Sequence, residues 1–163
     1  MRTHMTGSIL ITRDREYQNQ PLALKPTGLW YAAGLSWINW CESEQPDWLK
    51  PRLFKLEMDT SDILQLRTVA ETIAFNDRYS QQVRGLHSFI DWDAVKRDYK
   101  GIEIVPYHWE LRYSGGIWYY GLDVPSGCLW DLSALRKTPL IRPHEIEQMV
   151  QYENAVGDDD IYA

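Results

Sequence analysis

KPTGLWYAAGLSWINW, residues Lys25–Trp40, holds a proline, two glycines and four aromatic side chains within sixteen positions. Pro26 and Gly28 favour a turn, because one presets its φ and the other tolerates any φ. Leu29-Trp30-Tyr31 then reads as a short apolar strand, broken at Ala32-Ala33-Gly34. Ser36 is placed to cap a helix carrying Trp37 and Trp40, which share one face at i, i+3 and are read as core. A strand alternates its side chains, so Trp30 and Tyr31 point to opposite faces and one of them belongs to the core. A turn–strand–helix unit this rich in aromatics also suits a surface that stacks on a flat ligand.

Upstream, residues 1–7 read as a frayed end, and Ser8–Thr12 as a first strand followed by the charge run Arg13-Asp14-Arg15-Glu16. Downstream, Pro46 stops the helix, since proline lacks the amide that would continue it. Arg52–Met58 alternates apolar and charged residues as a half-buried strand does, and Ile63–Leu66 follows as another. Thr68 with Glu71 has capping-box spacing, which predicts a helix over Val69–Tyr79. Ser80–Ser88 reads as a polar loop. Asp91 caps a helix over Trp92–Tyr99 that Gly101 would end. Ile102–Pro106, Gly115–Leu122 and Ser126–Trp130 read as strands, and Pro143 opens a helix through Val150. Strands and helices are interspersed without a regular βαβ rhythm, repeat or linker. The expectation is one α+β domain over residues 1–156 with an acidic tail at 157–163.

Composition narrows the function classes. With 163 residues, 44% hydrophobic and 25% charged, the chain can bury a core without staples and reads as a soluble globular protein. Its net charge of −6 argues against broad phosphate-backbone binding. No apolar run approaches the roughly 18 residues of a spanning helix, so no membrane partner is expected and a cytoplasmic location is. Eight tryptophans and ten tyrosines exceed what packing needs, which points to a pocket or an interface. Nucleotide-loop, zinc-protease and hydrolase-elbow motifs are absent. Cys41 and Cys128 stand far apart with no ligand ladder, so no metal is expected. Cys128 near Ser126 invites a thiol nucleophile with His108 or His87 as base. A buried inert thiol is the preferred reading.

The order of the parts resembles the ADP-ribosyltransferase superfamily, in particular its small bacterial and phage-type members. An arginine (Arg13) ends the first strand, and a glycine turn leads into an aromatic strand and helix. An amphipathic strand then meets an Asp turn, KLEMDTSDIL, and a late Gly–strand, YKGIEIVPY, carries an acid. Gly28–Ala32, GLWYA, is similar to the short G-[LI]-[WY]-[YF]-[AS] strand found in that family. The resemblance spans roughly residues 8–123. It lacks the Ser-Thr-Ser segment of one branch, and its two ExE triplets, Glu42-Ser43-Glu44 and Glu145-Ile146-Glu147, lie outside the expected place. The other branch has a first-strand histidine, where this chain offers Arg13.

The resemblance implies a split, twisted, mostly antiparallel sheet and NAD as co-substrate, with ADP-ribose passing to a macromolecular acceptor as nicotinamide leaves. Arg13 would anchor the ribose or pyrophosphate, and Tyr31 or Trp30 would stack on nicotinamide. Glu103 or Asp123 would hold a ribose hydroxyl and steady the developing positive charge. A toxin, phage-defence or counter-defence role, with a cognate inhibitor protein, fits such a chain. The acidic balance favours a protein acceptor over nucleic acid. The competing reading is a non-enzymatic module that holds a partner on its aromatic surface.

Overall fold

The computed structural model describes residues 1–10, 16–82, 88–114 and 116–156. The domain is mixed α+β. β1 (Arg2–Thr6) and β2 (Leu29–Ala33) are followed by helix α1 (Ser36–Glu44), then β3 (Arg52–Lys55), β4 (Glu57–Met58) and β5 (Ile63–Leu66). Helix α2 (Val69–Tyr79), the hairpin strands β6 (Ser80–Gln82) and β7 (Ser88–Ile90), and helix α3 (Trp92–Asp98) precede β8 (Gly101–Ile104). Helix α4 (Ile117–Tyr120), β9 (Ser126–Leu129), β10 (Leu135–Lys137) and helix α5 (Pro143–Val156) complete the chain. Six strands form the main sheet in the order β3-β1-β2-β9-β8-β5. All its pairings are antiparallel except β5 with β8. No helix among the described residues is long and apolar enough to cross a membrane.

The locally encoded elements form as expected. Thr68 Oγ1 accepts from the Glu71 amide at 3.2 Å, and Glu71 Oε2 accepts from the Thr68 amide at 2.9 Å, so the capping box opens α2. Asp91 Oδ1 accepts from the Ala94 amide at 3.0 Å and opens α3. Pro46 begins a separate 3-10 turn, Pro46–Trp48, beyond the end of α1. Ser36, however, is not the cap of α1: Leu35 holds that position, and Ser36 lies inside the first turn with a buried, unpartnered hydroxyl.

Tertiary pairing overrides several other expectations. Of the expected strand Ser8–Thr12, residues 8–10 are not in a strand and residues 11–12 lie outside the described residues. The first strand is Arg2–Thr6, and it lies inside the sheet between β2 and β3. Its threonines and long side chains suit a strand with one face half-solvated, although it lacks the apolar run that marks a core strand. Arg13 lies outside the described residues, as does the acidic tail. Of the expected loop Ser80–Ser88, Ser80–Gln82 and Ser88 lie in paired strands, and residues 83–87 lie outside the described residues. Gly101 starts β8 rather than ending α3, because a Cβ there would meet the Cys128 carbonyl at 2.7 Å. Within the stretch Gly115–Leu122 expected as a strand, Ile117–Tyr120 is a short helix, and Gly115 lies outside the described residues. The neighbours Trp118 and Tyr119 are both buried, which one turn wedged into the core allows and a half-exposed strand does not.

The sheet separates two packing layers. On one face Trp30, Ile102, Ile104 and Cys128 join the side chains of α2 and α3, among them Phe75, Tyr79, Trp92 and Val95. On the other face Leu29, Tyr31, Leu56, Ile63, Leu129 and Leu132 form a smaller core. Trp30 and Tyr31 therefore do belong to opposite layers. Trp37 and Trp40 share a helix face as expected, yet that face is not core. Their rings stack 4.9 Å apart and meet Trp48, which is exposed.

Candidate functional site

The layer carrying Tyr31 brings together an arginine, a histidine, a tyrosine and a glutamate, and the strand register explains how. Tyr31 on β2 stands opposite Gly127 on β9, and Gly127 stands opposite Glu103 on β8. Opposed residues share a face, so Tyr31 and Glu103 flank a position that has no side chain. The tyrosine ring lies across that gap, in the space a Gly127 side chain would need. Its hydroxyl donates to Glu103 Oε2 at 2.9 Å. Thr3 pairs with Ala32, so His4 comes beside Tyr31, and Arg2 and His4 both project to this same face.

Arg2 closes the constellation. Its Nη2 donates to Glu103 Oε1 at 2.8 Å and its Nε donates to Oε2, a two-pronged pairing of guanidinium with carboxylate. Glu103 is 8% exposed, whereas the Arg2 side chain keeps 29% of its surface in solvent. The carboxylate is thus reached from outside through Arg2. The hydrogen bond to Glu103 raises the Arg2 pKa, burial working the other way. Burial first, and then the Glu103 charge, pushes the Tyr31 hydroxyl well above its ordinary range. Tyr31 is consequently a neutral donor whose part is to hold the carboxylate, with its ring packed among leucines.

His4 Nδ1 lies 2.7 Å from the Trp30 carbonyl oxygen. A carbonyl only accepts, so Nδ1 carries the proton and Nε2 presents a lone pair. Burial lowers the His4 pKa, against the raising effect of that hydrogen bond. The unfolded chain therefore takes up the proton first. The contribution is complete above the ordinary value of 6.5 and is lost as pH falls from there through the lower value of the folded state. The melting temperature is expected to decline between about pH 7 and about pH 5, and His4→Gln to flatten that decline. An identical pH slope in the variant would remove His4 from this account.

The other sequence candidates fall elsewhere. Trp30 and Asp123 line a cavity of about 260 Å³, together with Lys25, Trp37, Leu53 and Ser126. His4 and Tyr31 also border it. The Trp30 indole donates to the Pro26 carbonyl at 3.2 Å, and Lys25 Nζ lies 5.6 Å from its ring centre. Asp123 pairs with Arg112 at 3.4 Å, and Arg112 is also bound to the Tyr107 hydroxyl and the Leu122 carbonyl. Asp123 is thus committed to the loop after α4, while Glu103 answers to Arg2 and Tyr31. Cys128 is fully buried, and burial raises its pKa, so it is poorly placed to form a thiolate.

Arg2 and His4 were hidden from sequence reasoning because they sit in a stretch that reads as a frayed end. The alternation of RTHMT, with threonines at two of its five positions, is the signal that marks it as a strand. No family model matches this chain, and no curated protein or solved structure is similar to it at a significant level.

Proposed function

We propose that the protein transfers ADP-ribose from NAD to a macromolecular acceptor, in a domain of ADP-ribosyltransferase type. One observation carries the reading: a buried carboxylate, Glu103, held by an arginine and a tyrosine from the first two strands of the sheet. The resemblance asks for an anchoring cation or imidazole on the first strand, an aromatic on the next and an acid on a late strand. Arg2 and His4, Tyr31, and Glu103 are residues of those types on those strands. Arg2 would take the anchoring role that the resemblance implied for Arg13.

The chemistry suits these groups. NAD would bring a pyrophosphate that attracts the half-exposed Arg2 guanidinium, and ribose hydroxyls that donate to His4 Nε2 and to Glu103. When the bond between C1′ of the ribose and the nicotinamide nitrogen breaks, its electron pair leaves with nicotinamide and positive charge develops on the sugar. An anion fixed beforehand by Tyr31 stabilises that charge without reorganising, and this lowers the barrier selectively. A nucleophile of the acceptor then bonds to C1′ and gives its proton to solvent. Glu103 shares its face of the sheet with Tyr31 and not with Trp30, so Tyr31 serves the acid by holding it in place.

The deciding measurement is nicotinamide release from NAD by purified protein, with and without cell lysate, beside a melting-temperature titration with NAD. Release that requires lysate, with an NAD-dependent rise in melting temperature, is expected. A folded protein giving neither release nor a shift would overturn the proposal.

A further inference from the structure

The strongest feature outside that constellation is the corner formed by α1 and the 3-10 turn after it. Trp37 and Trp40 stack with ring centres 4.9 Å apart and planes 11° from parallel, and Trp48 leans on both at 6.1 and 5.8 Å. Trp48 is 50% exposed, and every residue from Glu42 to Lys50 is exposed. Three indoles gathered at the surface keep apolar area in water, which is the mark of an interaction site rather than of packing. Their planar faces are rich in π electrons and attract cations.

The charges around them say what kind of partner fits. WINWCESEQPDW, residues 37–48, contains Glu42, Glu44 and Asp47 and no basic residue. None of these three carboxylates enters an ion pair among the described residues. The next cations along the chain are held on carbonyl oxygens, Lys50 on Asp47 at 3.5 Å and Arg52 on Gly7 at 2.6 Å. Phosphate backbones are repelled by such a surface. A two-fold contact with a second copy would bring like charges together. An apolar partner would strip water from carboxylates and offer nothing in return.

We infer that this corner is a docking surface for an arginine- or lysine-bearing segment of another protein, whose cations lie over the indoles and face Glu44, on the same side of α1, and Asp47 beside Trp48. Trp37 also lines the cavity beside Trp30, so the surface runs on into that cavity. The inference does not rest on the ADP-ribosyl reading.

Titrating the whole protein with a short peptide of alternating arginine and glycine, followed by tryptophan fluorescence and calorimetry, tests it. Saturable binding in the micromolar range is expected, weakening as salt rises. Trp48→Ala is expected to weaken it about fivefold or more, and combined Glu42→Gln, Glu44→Gln and Asp47→Asn at least about tenfold. Should Trp48→Ala melt early, the carboxamide variant carries the test, because it preserves size at exposed positions. The inference falls if the peptide does not saturate the protein, or if a glutamate–glycine peptide or an oligothymidylate binds as tightly. It falls equally if the folded carboxamide variant binds unchanged.

Discussion

Replacing Glu103 by glutamine is expected to lower nicotinamide release by about a hundred- to a thousandfold, the usual cost of removing one electrostatic stabiliser from a transition state. The substitution is nearly isosteric and keeps an oxygen to accept from Tyr31. It removes the negative charge that Arg2 balances and that the proposed transfer calls on as nicotinamide departs. Because the Arg2 side chain is 29% exposed, its guanidinium can turn to water when the carboxylate is gone. The fold is therefore expected to survive with a loss of about 1–3 kcal/mol, measured by urea denaturation. Asp123→Asn is the matched control. Its carboxylate serves Arg112, and release is expected to stay within about twofold of the wild type. Release that survives Glu103→Gln and falls with Asp123→Asn would move the acid to the loop after α4.

Gly127→Ala is the substitution expected to do most harm to the fold. Gly127 lies in β9, the strand that joins β2 to β8 at the centre of the sheet. A methyl group there would occupy the place of the Tyr31 ring and would come within 2.7 Å of the Ile102 carbonyl oxygen. One obstacle is a packed aromatic and the other is backbone, so neither gives way cheaply. Overpacking of this kind costs about 3 kcal/mol or more. In a chain of this size that lowers the melting temperature by roughly 6–12 °C. The displaced ring would also lose its hydrogen bond to Glu103. Gly7→Ala serves as the reference, since its nearest neighbour would be Lys50 Cδ at 3.8 Å. Equal melting temperatures for the two variants would show that Tyr31 does not lie across Gly127.

What was legible in the sequence was what short-range physics decides. Thr68 and Glu71 meet within one turn, so their spacing alone announces a helix start. The alternation of Ile102-Glu103-Ile104 puts the glutamate on the face opposite the isoleucines, and the structure places it there. The meeting of Glu103 with Tyr31 was not legible, because it depends on which strand lies between them, and no local pattern encodes strand order. Arg2 escaped for a related reason: a polar segment at a chain end becomes an interior strand only through its neighbours. Gly115–Leu122 misled because isoleucine, tryptophan and tyrosine favour strands in isolation, whereas here a single turn buries Trp118 and Tyr119 side by side. Trp37 and Trp40 share a face as their spacing says, but spacing does not reveal whether a face is covered.

The order β3-β1-β2-β9-β8-β5 also has a bearing on time. Arg2, His4 and Tyr31 come from the first three dozen residues, and Glu103 from a parallel pair completed some seventy residues later. β9 lies between the two groups and hydrogen-bonds to the strands that carry Tyr31 and Glu103. On the ribosome, a sheet of this order is expected to close only once residue 129 has emerged, because β9 is the strand that bonds to both halves. The Glu103–Arg2–Tyr31 constellation is therefore expected to form late in synthesis.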